Sequence, residues 1–262
     1  MPSRVGLEMC IRDWCYDLSM LVESLLFLVA QIVPAPHTLA FDQTISEMIG
    51  AGHIGELITL DARVAMGDYP NSGSPITWRQ DRKFSGNNIM SMGIWYEAIM
   101  RWVGPAKSVT ANAQTINNPR VDESGNYVFT DIPDHLDVLC EMIAGGTANL
   151  QFTMVSGMAP ESEMWIHGTK GTLVVKTETT ADAGAPNLVL LGAEKGQKEL
   201  EQIKIPDNEV GGWRVEEEFI NAIRGIETIS HSTFDTGVKY MEFTEAVSRS
   251  LQSGRVVALP IL

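Results

Sequence analysis

Cysteine, histidine and basic residues are all scarce in this chain, and each scarcity closes off a class of protein. Three cysteines in 262 residues, Cys10, Cys15 and Cys140, cannot build a disulfide framework. None stands in a Cys-x-x-Cys pair or near histidines as a zinc site requires, so a reducing cytoplasm is the expected setting. The 19 Lys and Arg against 33 Asp and Glu leave a net charge of −14 with no basic cluster to offset it. Such a surface repels phosphate backbones and anionic lipid, which argues against nucleic acid and membrane partners. A membrane span is missing too: the apolar run at 18–33 is shorter than the ~20 residues needed, holds Glu23 and Gln31, and follows Glu8, Asp13 and Asp17. It reads as a helix followed by a short buried strand near 27–33.

What is present is a globular composition, 44% hydrophobic, enough for one large domain or one domain with an appendage. Pro34-Ala35-Pro36 can continue neither helix nor strand and marks a boundary. Residues 39–49 then read as an amphipathic helix with Phe41, Ile45, Met48 and Ile49 inward and Gly50 as its C′ glycine. Ile58, Leu60, Ala62, Val64 and Met66 alternate with polar residues as a strand with one buried face. Between helix and strand, Gly50-Ala51-Gly52-His53-Ile54-Gly55 matches the spacing of a dinucleotide fingerprint. That fingerprint works only where a strand turns into a helix, so this reversed match is a glycine-rich helix stop.

Residues 68–83 form a polar loop carrying Trp78, either solvated or a flap over a pocket. The stretch 84–104 organises the rest. A turn, Ser85-Gly86-Asn87-Asn88, runs into a helix whose apolar face is Met92, Trp95, Tyr96, Ile99 and Trp102. Beyond it lie a strand at 108–116 and a long excursion at 117–134. A hairpin at 136–154 turns on Gly145-Gly146, a second joins 164–167 to 172–176, and a third ribbon spans 187–205. Two helices close the chain: 213–224, burying Val215, Phe219, Ile220 and Ile223, and 235–251, burying Val238, Met241, Val247 and Leu251. A last strand lies at 256–259. Successive strands without intervening helices predict an α+β fold, a large mixed, mostly antiparallel β-sheet with helices on one face.

The arrangement resembles the C-terminal, substrate-binding domain of the glucose-fructose oxidoreductase and inositol dehydrogenase family. The matching pieces are Gly52-His53-Ile54-Gly55-Glu56, Trp78, the Ser85-to-Trp102 element, Gly168-Thr169-Lys170-Gly171, Phe219-Ile220-Asn221-Ala222-Ile223 and the closing 237–259. They imply that residues 34–262 are a substrate-binding and oligomerisation domain and that 1–33 are a remnant of the family's Rossmann half. The chain alone is then expected to bind no cofactor, NAD or NADP being that of the full-length family. In the family the central element carries an aspartate and, four residues on, a histidine that exchanges the substrate's proton. Aligned on Gly93, these positions are Ser91 and Trp95 here, neither of which titrates near pH 7.

The expected ligand is therefore a sugar or polyol held, without turnover, by Trp78, Asn88, Ser91, Trp95 and Tyr96. No catalytic residue and no metal site are assigned. The expected partner is a second copy, met through the open sheet face bearing Asp61, Arg63, Asn149, Gln151 and Thr153. Two alternatives stand beside this one: a fragment of an NAD(P)-dependent sugar or polyol dehydrogenase drawing its base from His135, beside Asp137, and a non-catalytic dimerisation protein.

Overall fold

The central strands alternate, and the alternation places one set of side chains on a core and the other on an open face. The computed structural model describes residues 29–34, 40–159, 162–178 and 187–261, and the expected helix in 18–26 lies outside them. They divide into two compact units, one gathering Arg214–Phe234 with the segment that ends at Val33, the other comprising Pro34–Trp213 and Asp235–Leu262.

In the larger unit nine strands form one sheet: β1 Leu57–Ala65, β2 Ala106–Gln114, β5 His135–Met142, β6 Thr147–Thr153, β7 Glu163–Gly168, β8 Gly171–Glu178, β9 Asn187–Glu194, β10 Glu201–Gln202 and β11 Val257–Ala258. The short β3 Arg120–Val121 and β4 Tyr127–Val128 pair separately inside the excursion. The sheet order is β10-β9-β8-β7-β1-β6-β5-β2-β11. All neighbours are antiparallel except β1 and β6, so the sheet is mixed as expected. Leu60, Ala62, Val64, Leu136, Val138, Cys140, Leu150, Phe152, Met164 and Ile166 point to one face and form the core. Helices α1 Asp42–Gly50, α3 Met92–Val103 and α5 Phe234–Ser253 contribute Ile45, Met92, Tyr96, Ile99, Phe243 and Val247 to that core. Two shorter elements precede α3, a 3-10 turn Trp78–Gln80 and α2 Arg82–Ser85, so the expected loop at 68–83 is partly helical.

Several expectations are corrected. Helix α1 runs through Gly50, and the left-handed residue that stops it is Gly52, φ 82°. Ile58 and Met66, placed inward by alternation, are 53% and 37% exposed, because the pairing of β1 shifts register between Leu57 and Thr59 and its strand ends at Ala65. Val238 and Met241 are more than half exposed while Phe243, Ala246 and Val247 of α5 are buried. Thr153, placed on the open face, is fully buried, and its hydroxyl bonds Ser156 Oγ at 2.8 Å.

The smaller unit contains α4 Val215–Ile223. Its expected apolar face is not the buried one: Ile220 and Ile223 are exposed and Glu218 is buried. The reason is a polar anchor. Glu218 accepts Ser230 N–H at 2.8 Å, the Ser230 hydroxyl, and Gln31 Nε2 at 2.6 Å, so its carboxylate turns inward with three donors. Residues 29–33 form no strand; Ile32 exchanges both backbone hydrogen bonds with Ser232 at 2.9 and 3.2 Å, and Val33 is exposed.

Among the described residues no helix is long and apolar enough to cross a membrane.

Candidate functional site

The entry to α3 is built under backbone strain. Met90 (φ 46°, ψ 33°) and Ser91 (φ 60°, ψ 27°) are consecutive non-glycine residues in the left-handed region, an arrangement that costs of order 1–3 kcal/mol per residue and persists only where surroundings enforce it. The enforcement is visible. Met90 is buried in the core, and the Asn88 side-chain oxygen accepts the Gly93 N–H at 2.9 Å, closing the turn onto the helix. Gly93 leaves a side chain only a tight fit: a Cβ there would sit 3.2 Å from Asn88 Oδ1, 3.3 Å from Thr244 and 3.5 Å from Tyr240, so glycine lets α5 approach α3 closely. Asn87 reinforces the same junction by donating to Glu245 of α5 at 2.6 Å. Ser91, at the position the resemblance aligns with an aspartate, is thus one of the two left-handed residues of the segment that opens the helix.

The structure separates the five expected binding residues. Ser91 and Trp95 are one helical turn apart and half-buried, with Trp95 packed against the core, and Asn88 adjoins them. Tyr96 is elsewhere: 1% exposed, it stacks on Phe243 with ring centroids 3.7 Å apart, and its hydroxyl accepts the Ala106 N–H at 2.8 Å. Burial drives its phenol far above the ordinary tyrosine range. It faces the core because it shares a helix face with Met92 and Ile99. Trp78 is 55% exposed with the Arg79 guanidinium 4.2 Å over its ring, and it lines a recess of about 480 Å³ with Phe84, Asp81, Asp122 and Glu123. None of the other four lines that recess. Phe84, about three-quarters exposed and four residues before Asn88, is the second aromatic in its wall. Nothing in the sequence pattern singles Phe84 out; the Asp122-to-Gly125 turn signal marks the loop opposite.

Two candidates for an acid or base are spent or displaced. Glu97, one turn into α3, is buried beside Arg101, whose Nη1 lies 2.7 Å from Glu97 Oε1 but off its hydrogen-bonding direction. The second Arg101 nitrogen donates to Asp42 at 2.7 Å, and Asp42 also accepts Trp102 Nε1 at 2.9 Å. His135 pairs with Asp137 at 3.1 Å, as its position suggests, but both belong to the open side of the sheet, opposite the core where α3 packs. A strand's period of two separates His135 from Leu136 by the whole thickness of the sheet, so it cannot serve the α3 site.

The glycine stretch before β1 has a structural role. Gly52, His53 and Gly55 donate their N–H groups to Ile49, Met48 and Gly52 carbonyls, so these amides serve the helix stop itself. The Gly168–Gly171 turn docks on it: Lys170 N–H donates to Ile54 O at 2.8 Å, and Thr169 N–H to Glu56 O at 3.0 Å. At Gly168 a Cβ would lie 2.1 Å from Ile54 O, which is why that turn needs glycine.

On the open face, Asp61, Arg63, Asn149 and Gln151 line a trough of about 490 Å³ together with Asp137, Glu163 and Trp165. Asn149 donates to Asp61 at 2.7 Å and Gln151 to Asp137 at 2.9 Å.

A mixed nine-stranded sheet covered on its core side by the helix that opens at Ser91 is the α+β architecture of an oxidoreductase-family C-terminal domain. The sequence matches the GFO/IDH/MocA C-terminal domain over residues 43–174, half of the chain, and the protein belongs to that family. No curated protein matches it. Among solved structures it is similar to an NAD binding oxidoreductase from Klebsiella pneumoniae (17% identity, TM-score 0.68, covering 84% of this chain and 63% of that one). It is also similar to a levoglucosan dehydrogenase in complex with NADH and levoglucosan (17%, 0.73, 89% and 67%). A third is an aldose-aldose oxidoreductase from Caulobacter crescentus complexed with glycerol (17%, 0.62, 86% and 62%). At these identities the likeness shows the fold, and the chain spans about two thirds of the length of the structures it matches.

Proposed function

We propose that this chain is the sugar- or polyol-binding and oligomerisation domain of an oxidoreductase-like protein, with its ligand held where the Ser85–Asn88 turn meets the first turn of α3. The observation that carries the reading is the enforced left-handed pair Met90 and Ser91 beside the half-buried Trp95: strain of this kind gathers at functional sites, and here it includes Ser91, one of the two family positions, one helical turn before the other, Trp95. Ser91 and Asn88 supply hydroxyl and amide groups and Trp95 an indole face, the combination a hydroxylated ring requires. Trp78 and Phe84 extend an aromatic wall from the neighbouring recess. The sugar ligands named for two complexes of levoglucosan dehydrogenase, with levoglucosan and with L-sorbose, support the ligand class.

The nicotinamide cofactor of the family, NAD or NADP, would take or give the hydride when bound. The fingerprint-like glycine stretch at 50–55 lies between a helix and a strand and bonds the Gly52, His53 and Gly55 amides within itself and to α1, so in this reading the chain contributes the substrate side alone. With Ser91 and Trp95 in place of titrating groups, Glu97 engaged by Arg101 and His135 across the sheet, these residues position a ligand and do not transfer its proton. A portion of an NAD(P)-dependent sugar dehydrogenase is the second reading, favoured by solved relatives that hold NADH and a sugar together.

Calorimetric titration with levoglucosan, L-sorbose, glycerol and myo-inositol tests the proposal. Saturable binding of at least one is expected, lost in Trp95→Ala, with a stability cost of ~1–3 kcal/mol for a half-exposed pocket wall. Unchanged binding in that variant with a loss of ~3–5 kcal/mol, the value for a filled core position, would place the pocket elsewhere. No binding to any of the four, in a folded wild-type chain, leaves a non-catalytic dimerisation protein.

A further inference from the structure

Resting on the reading of the open sheet face as a contact between copies, we infer that Arg63 and Glu163 are the charge pair that sets the register of that contact, each reaching across a two-fold axis to the other chain. The two residues sit directly opposite on β1 and β7, and β1 is the middle strand of the nine. A cross-strand Arg and Glu so placed ordinarily bond each other. Here they do not: among the described residues Arg63 has no ion pair, its Nε is shut off from water without an acceptor, and Glu163 has neither ion pair nor side-chain hydrogen bond.

The surrounding groups leave them unmatched within the chain. Asp61 is taken by Asn149 and Asp137 by Gln151 and His135, so the nearby carboxylates on β1 and β5 are already satisfied. Lys176, opposite Glu163 on β8, is engaged elsewhere, so what remains without a partner among the described residues is one cation and one anion, side by side near the centre of the face. A two-fold axis lying in the interface plane and passing between them brings Arg63 over Glu163 of the partner subunit and Glu163 over Arg63 of the partner subunit. An isologous contact needs this reciprocity, residue i on j and j on i, and a side-by-side opposite pair provides it with no other change. The rest of the trough suits a polar, hydrogen-bonded contact, with Leu139 and Trp165 as its apolar part.

Sedimentation of the full chain at tens of micromolar tests this. The wild type should be a dimer, and Arg63→Glu and Glu163→Arg should each raise the dimer dissociation constant at least ~10-fold, since like charges then meet twice across the axis. Mixing the two variants should restore a 1:1 heterodimer of near wild-type affinity, because every contact is again Glu on Arg. A pair confined to one chain cannot be rescued by mixing. Should either variant lose its circular dichroism signal, Arg63→Gln and Glu163→Gln replace them, with a smaller rise expected. Variants that dimerise like wild type, or folded variants that mixing fails to rescue, overturn the inference while the dimer itself stands. A monomeric wild type would instead bring down the reading on which it rests.

Discussion

Replacing Tyr96 by phenylalanine separates a structural tyrosine from a ligand-binding one. Its ring is 1% exposed and stacks 3.7 Å from Phe243 at an interplanar angle of 4°, a contact that phenylalanine keeps. Only the hydroxyl goes, and with it the acceptor 2.8 Å from Ala106 N–H, a backbone donor at the start of β2 that is itself buried. An N–H left in the core without a partner costs ~1–3 kcal/mol, the desolvation penalty of the group and not the smaller net value of an average hydrogen bond. For a chain of this size that is a fall of roughly 2–12 °C in melting midpoint. Tyr96→Leu, which also gives up the ring stacking, should lose a further ~0.5–1.5 kcal/mol beyond the change in buried area. Thermal and urea denaturation of the variants, beside polyol titration of Tyr96→Phe, provides the assay. A change in stability below ~0.5 kcal/mol, or loss of polyol binding at unchanged stability, would refute the placement of Tyr96 in the core and return it to the site.

Asp42→Ala removes the carboxylate shared by Arg101 and Trp102 Nε1 in a buried cluster, and urea denaturation should show a loss of ~3–5 kcal/mol; a loss under 1 kcal/mol would mean that water or relaxation replaces it. Burial pushes the Cys140 thiol up to about 12, so mass-mapped alkylation at pH 8 should leave Cys140 unmodified until the protein is unfolded. Because the folded thiol holds its proton more tightly than the unfolded one, its contribution to stability is complete below the ordinary thiol value of ~8.5 and fades as the pH climbs from there toward 12; Cys140→Ala should flatten that alkaline decline. Titration with NADH or NADPH should leave nicotinamide fluorescence unchanged, and saturable enhancement at micromolar cofactor would show a nucleotide site that the helix-to-strand glycine stretch at 50–55 does not provide.

The parts of the fold that are legible in the sequence are those written in local period. The β5–β6 hairpin follows from alternation and from Gly145-Gly146, both of which take positive φ. Helix α3 follows from its apolar stripe, and the rejection of a nucleotide fingerprint from the order of helix and strand. What is not local is not legible. The parallel pairing of β1 with β6 places the first strand in the centre of the sheet, a choice made by contacts about 88 positions apart in register and by no residue of β1 alone. Likewise the inward turn of Glu218 depends on Ser230 and Gln31, one of them nearly two hundred residues away, so the apolar pattern of α4 points to the wrong face.

The candidate site divides along the same line. Asn88, Ser91 and Trp95 are legible because a turn followed by a helix fixes their mutual spacing, whereas the left-handed strain at Met90 and Ser91 is a tertiary effect, imposed by a buried methionine and by the approach of α5 to Gly93. Tyr96 and His135 differ from these, since their places could have been read from the strip of sequence around them. Tyr96 shares the Met92 and Ile99 face, and a helix start that offers Ser91 and Trp95 to a ligand carries that face toward the core. His135 alternates out of phase with Leu136, Val138 and Cys140, which α3 packs against, so a base on that strand serves a ligand on the opposite side of the sheet from Ser91. Period alone thus removes both from the proposed site and leaves Asn88, Ser91 and Trp95 as the residues at which the proposed polyol binding is to be tested.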